Sequence, residues 1–121
     1  MWYAAHIIMS VQFKNPEDQT SYPVWENIVL IQASTSEQAW DKAEQRGRDE
    51  ETDGSDGFTW NRKPARWVFA GVRKVIECRS DDEKDRPVDG AEVSYSEMSV
   101  PDKESLTKLA NGRPVSVQYE E

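Results

Sequence analysis

Cysteine and histidine are scarce in this 121-residue chain and its cations are outnumbered by carboxylates, and each of these features removes a class of chemistry. Cys78 is the only cysteine and His6 the only histidine, so no internal disulfide and no Cys/His zinc cluster can form within one chain. Any Ser-His-Asp or Cys-His catalysis would have to use His6. Lys and Arg together number 15 against 23 Asp and Glu, a formal net charge of -8. That balance opposes attraction to phosphate backbones, because nucleic-acid binders concentrate cations to displace counterions. DNA and RNA are not expected partners, whereas a basic protein is compatible with the charge. No hydrophobic run approaches the roughly 20 residues needed to span a bilayer. The first residues also lack the basic start and small-residue cleavage site of a secretory signal. The expectation is a cytoplasmic protein with no membrane partner.

Aromatic residues are present in quantity: five Trp, four Tyr and three Phe. Disordered chains lack such aromatics, and the length suits one domain with a core of its own. Tyr3, Ala5, Ile7, Met9, Val11 and Phe13 alternate as one unbroken apolar face of a first strand, and Trp2, Ala4 and Ile8 make the other face partly apolar. A polar stretch over 14–21 predicts a loop closing a hairpin. In the second strand Val24, Ile28 and Leu30 share one face and Trp25, Val29 and Ile31 the other, which predicts a central position in the sheet.

Ser34 and Glu37 have capping-box spacing, and Ala39, Trp40 and Ala43 form an apolar stripe. Together they predict a helix over about 35–46, anchored in the core by Trp40 and stopped at Gly47. After an acidic loop, a third long strand runs through Trp67, Phe69 and Val75, with Gly71 as a candidate bulge. A second polar loop over 80–90 precedes a fourth strand in AEVSYSEMSV, whose parity changes near Ser96. Asp102 caps a short second helix bearing Leu106, Leu109 and Ala110, and PVSVQYE closes as a fifth strand. The order strand-strand-helix-strand-strand-helix-strand predicts an α+β fold: a mostly antiparallel five-stranded sheet with two helices packed on one face.

The segments WYAAH, VWENIVLIQAS, SEQAWDKAE, RWVFAGVRKV, VSYSE and PVSVQYE together resemble a bacterial family known as domain of unknown function 4288, over nearly the whole chain. The resemblance implies a bacterial protein of about this length, with no activity, cofactor or catalytic residue to carry over.

Three local patterns bear on chemistry. His6 sits on the second face of strand one, where it could act as a base, although no nucleophile or second base stands beside it in the sequence. Asp49, Glu51, Asp53 and Gly54 match four positions of an EF-hand loop, but the closing position is Trp60 and a strand follows, so a solvated loop without metal is expected. Trp60, Arg62, Lys63, Arg66 and Trp67 interleave cations with aromatics, a pattern that suits an interface rim or the neighbouring acidic loop in so acidic a chain.

Two narrow helical stripes can shelter one side of a sheet, and both sides read as apolar. The leading expectation is a non-catalytic homo-oligomeric interaction module, a homodimer through its sheet, with Trp2, His6, Ile8, Trp25, Trp60, Arg66 and Trp67 as candidate interface or ligand residues. The rival is a small enzyme or ligand-binding protein with a cleft lined by His6, Trp25, Arg66 and Trp67 and with Glu26 or Asp41 as acid or base. Neither requires a cofactor.

Overall fold

The computed structural model describes residues 1–78 and 87–121. Strand β1 (Trp2–Phe13) leads through a single 3-10 turn (Pro16–Asp18) to β2 (Val24–Gln32), and helix α1 (Ser36–Asp49) follows. A short β3 (Thr59–Trp60) turns at Asn61 and Arg62, both at positive φ, into the long β4 (Lys63–Glu77). Beyond lie β5 (Met98–Ser99), α2 (Lys103–Ala110) and β6 (Gln118–Tyr119). All pairings are antiparallel, in a four-stranded sheet of order β2-β1-β4-β3 and a separate β5-β6 ribbon. The α+β class holds. The single five-stranded sheet does not, because the predicted fourth and fifth strands shrink to two-residue pieces and residues 91–97 run without regular structure. Most of the polar loop predicted over 80–90 lies outside the described residues.

β1 is the central strand, and its two-faced apolar pattern fits that place. Tyr3, Ala5, Ile7, Met9 and Val11 are buried on the first face; Ala4, His6 and Ser10 are buried on the second. α1 packs on the first face against β1, β2 and β4. Its buried positions, Ala39, Ala43 and Gly47, are four apart and lie on one side of the helix. Trp40, next to Ala39, is turned about 100° away and is exposed, its indole donating to Glu44 Oε1 at 3.1 Å. The expected core anchor is therefore a surface residue.

Gly47 also departs from expectation. It lies inside α1, where a Cβ would stand 2.3 Å from Phe69 Cδ1. Here glycine permits close approach of helix to sheet and does not end the helix, which continues to Asp49. The cap falls one residue later than the Ser34–Glu37 pairing: Thr35 Oγ1 accepts from the Gln38 amide at 3.1 Å, while Gln38 Oε1 accepts from the Ser34 amide at 2.7 Å.

β2, expected in the interior, is an edge strand. Val29 and Ile31 join the core under α1, and Trp25 packs edge-on against Trp60 and Trp67 at ring-centroid distances of 5.3 and 4.9 Å. Val24, Ile28 and Leu30 on the other face remain 60 %, 55 % and 45 % exposed. Apolar residues on two faces imply two covers only if both faces are buried, and here one row is left open. α2 is capped as expected, with Asp102 Oδ1 accepting from the Ser105 amide at 2.7 Å. It buries none of its own residues, so α1 alone packs on the sheet.

Candidate functional site

Two bulges in β4 shape the second face of the sheet. His6 pairs with Lys74 but Ile7 with Val72, leaving Arg73 as an extra residue; Ile8 pairs with Gly71 and Met9 with Phe69, leaving Ala70 as another. Gly71 thus lies between the bulges. The first bulge sends Arg73 and Lys74, adjacent in sequence, toward groups of the same face, where Arg73 meets Glu26 of β2 and Lys74 stands opposite His6 of β1 in the register.

These side chains form one connected polar cluster. Glu26 is an acceptor when ionised, so His6 Nδ1–H donates to Glu26 Oε2, at 2.6 Å. The other ring nitrogen, His6 Nε2, is hydrogen-bonded to the hydroxyl of Ser94, which arrives from the irregular segment above the sheet. Arg73 donates to the same Glu26 oxygen from Nη2 at 3.0 Å and Nε at 3.3 Å. It also reaches Ser96 Oγ at 3.3 Å and Glu121 Oε1 at 3.3 Å. Lys74 donates to the Tyr95 carbonyl, to Ser96 Oγ and to Glu121 Oε2. The Arg73 guanidinium lies 4.1 Å from the Tyr119 ring centroid, and the Glu97 amide donates to Glu121 Oε1 at 3.1 Å. Residues from β1, β2 and β4 thereby clamp the carboxyl-terminal segment onto the sheet.

The electrostatics favour this clamp at neutral pH. Burial pushes the Glu26 carboxyl up, but hydrogen bonds and charge from Arg73 and His6 outweigh it and hold the group below the usual carboxylate range. Burial likewise opposes the Arg73 charge, and Glu26 and Glu121 overcome it and raise that group further. The Lys74 hydrogen bond leads the effects that lower Glu121.

Of the candidate residues, His6 enters the cluster, 1 % exposed. Ile8 and Trp2 share its face and are half-buried. Trp25, Trp60 and Trp67 pack together on the first face, so the sheet separates His6 from Trp25 and Trp67, and the four residues of the expected cleft do not converge. Arg66, opposite Gln12, faces the acidic loop as one expectation had it: it lines an open hollow of about 710 Å³ with Glu51, Asp53 and Asp56. Of the EF-hand-like carboxylates, Asp53 accepts from the Ser55 amide at 2.8 Å, Glu51 from the Phe69 amide at 3.1 Å and Asp49 from the Gln45 carboxamide at 2.8 Å, while neighbouring Asp56 accepts from the Phe58 amide at 3.1 Å.

Arg73, Lys74, Ser94, Ser96 and Glu121 were missed by sequence reasoning. One signal was available: Phe69, Val72 and Val75 recur every third residue within a strand of period two, which requires extra residues between them. Ser94 has no local signal, since its partner is 88 positions away.

An α+β domain with a histidine-centred polar clamp on its sheet is the class that fold and site define. A family model described as domain of unknown function (DUF4288) matches residues 2–95, more than half of the chain, and the chain belongs to that family. The match takes in His6, Glu26, Arg73 and Ser94 and stops before Ser96 and Glu121. No curated protein and no solved structure matches. Among the described residues no helix is long and apolar enough to cross a membrane.

Proposed function

We propose that this protein is a non-catalytic interaction module that works as a homo-oligomer, joined along the β2 side of its sheet. The observation that carries this reading is the row Val24, Ile28 and Leu30, exposed beside a strand edge that has no pairing strand among the described residues. Long apolar edge strands template pairing with another chain unless charge, proline or a covering segment blocks them. β2 contains no Lys, Arg or Pro, and its one charged residue, Glu26, is held by His6 and Arg73. The opposite edge of the sheet is treated differently. There the Thr52 amide donates to the Trp67 carbonyl, the Trp67 amide to Thr52 Oγ1 and the Phe69 amide to Glu51, so the loop before β3 closes part of β4.

Sheltering three half-exposed aliphatic side chains from each of two copies contributes about 1 kcal/mol apiece, to which backbone hydrogen bonds along the open edge add. The full stacking of a second copy on the sheet face is disfavoured, because the segment holding Ser94 already lies over part of it. Light scattering across micromolar concentrations is expected to give a dimer mass; a monomer throughout would remove this reading.

The Ser94–His6–Glu26 relay supports a second reading, since a serine bonded to a histidine that is itself oriented by a carboxylate is the arrangement of an activated nucleophile. Against it, Arg73 shares the carboxylate, and the histidine has almost no exposed surface. A fluorophosphonate probe separates the two: labelling at Ser94, abolished by His6→Ala, would establish the enzyme, and an unlabelled protein keeps the module.

A further inference from the structure

The self-association reading leaves open how two copies meet, and the hydrogen-bond parity of β2 answers this in a specific way. Met1 and Ala33 exchange both backbone hydrogen bonds, at 3.1 and 3.0 Å. From that pair the antiparallel register turns the amide and carbonyl of Ile31, Val29, Asn27 and Trp25 toward β1. Those of Val24, Glu26, Ile28, Leu30 and Gln32 turn outward. The Gln32 carbonyl is already taken by Lys42 Nζ at 2.7 Å. Among the described residues the outward groups of Val24, Glu26, Ile28 and Leu30 have no partner.

We infer that β2 pairs with β2 of a second copy, antiparallel, about a two-fold axis at Asn27. The inference rests on the self-association reading and fixes its geometry. The four open residues are spaced symmetrically about position 27, so this axis sets Val24 opposite Leu30 of the copy and Glu26 opposite Ile28. Both are hydrogen-bonded pairs, every open group finds a partner, and the Lys42 contact to Gln32 is left undisturbed. An axis at Ile28 would set Val24 against Gln32 and compete with Lys42.

Side chains agree with the backbone. Val24 and Leu30 are both apolar and on one face, so they meet apolar partners across the seam. Charge agrees as well: Glu26 is the only ionised side chain of the strand and points to Arg73 and His6 of its own copy, so no like charges confront each other in a molecule otherwise strongly acidic. On the first face the two Asn27 carboxamides, without partners among the described residues, face each other at a non-hydrogen-bonded position. The product is one continuous eight-stranded sheet with the two α1 helices on the same side, the isologous contact of a symmetric dimer.

Cysteine cross-linking tests the axis. In Asn27→Cys the two thiols sit at adjacent non-hydrogen-bonded positions, with Cα atoms near 4.5 Å, within disulfide range. In Ile28→Cys the thiols are offset along the strands and out of reach. Native Cys78 is buried. With copper-phenanthroline and air as oxidant, a disulfide dimer is expected for Asn27→Cys and not for Ile28→Cys. Dimers by light scattering that cross-link only at position 28, or at neither, would overturn the axis while leaving self-association intact; a monomer would overturn both. Wild-type protein supplies an independent readout. Amide exchange at Val24, Glu26, Ile28 and Leu30 is expected to slow as concentration rises through the dimer transition, and concentration-independent fast exchange at those four amides would also refute the pairing.

Discussion

A single histidine seldom specifies anything, yet His6 fixes which parts of this chain meet on the second face. Both ring nitrogens are engaged, by a glutamate 20 residues away and a serine 88 residues away, and its burial leaves no room for an unsatisfied nitrogen. The acid limb of this network has a predictable pH response. The folded-state pKa of Glu26 lies below its ordinary value of 4.5, so its ionisation contributes stability above that pH, and the contribution is lost as pH falls through the folded value. Glu121 shifts the same way and adds to the effect. Urea unfolding followed from pH 6 down to pH 3 is expected to lose on the order of 1 kcal/mol to Glu26. Because Asp53 and Asp102 are also lowered, the readout is a difference: Glu26→Gln should be less stable at pH 6 and show a shallower fall in acid than wild type. Equal slopes in the two proteins would show that Glu26 contributes nothing to acid sensitivity.

Elements were readable where one local pattern met one environment. β1 alternates and is covered on both sides, and α2 opens on the Asp102 cap that the sequence marks. Failures arose where the same residues fit two environments. β2 looked central because an apolar row left exposed is written like one already covered, and no residue of β2 records the difference. Gly47 is the other case. Glycine at the end of a periodic stretch reads as a stop, but Phe69, which requires its missing side chain, belongs to another element 22 positions on. The contact makes a sharp prediction for helix-on-sheet packing. Gly47→Ala gains about 1 kcal/mol of helix propensity, yet places a methyl 2.3 Å from Phe69 Cδ1, so ring and helix must separate. Overpacking of this kind costs about 1–3 kcal/mol, and the net result expected in chemical denaturation is lower stability. A variant as stable as wild type or more so would mean that Phe69 moves aside freely.

The whole molecule combines a strongly acidic surface with a charge-poor edge, and the two act on association in opposite senses. Each copy carries a formal charge of -8, so bringing two together raises the repulsion between them. The proposed β2 seam would hold aliphatic side chains and backbone hydrogen bonds, which salt scarcely weakens. The ion pairs of the clamp lie within one copy and do not cross the seam. Raising ionic strength from about 0.01 to 0.1 M shortens the screening length from about 30 to about 10 Å. Repulsion between the acidic surfaces falls while the attraction persists, so dimerisation should tighten several-fold over that range, as sedimentation analysis at matched pH can measure. An interface built instead on contacts between acidic loops and the Arg62, Lys63 and Arg66 region would respond in the reverse direction, its attraction screened by the same salt. The sign of the salt dependence therefore distinguishes pairing through β2 from pairing through charge.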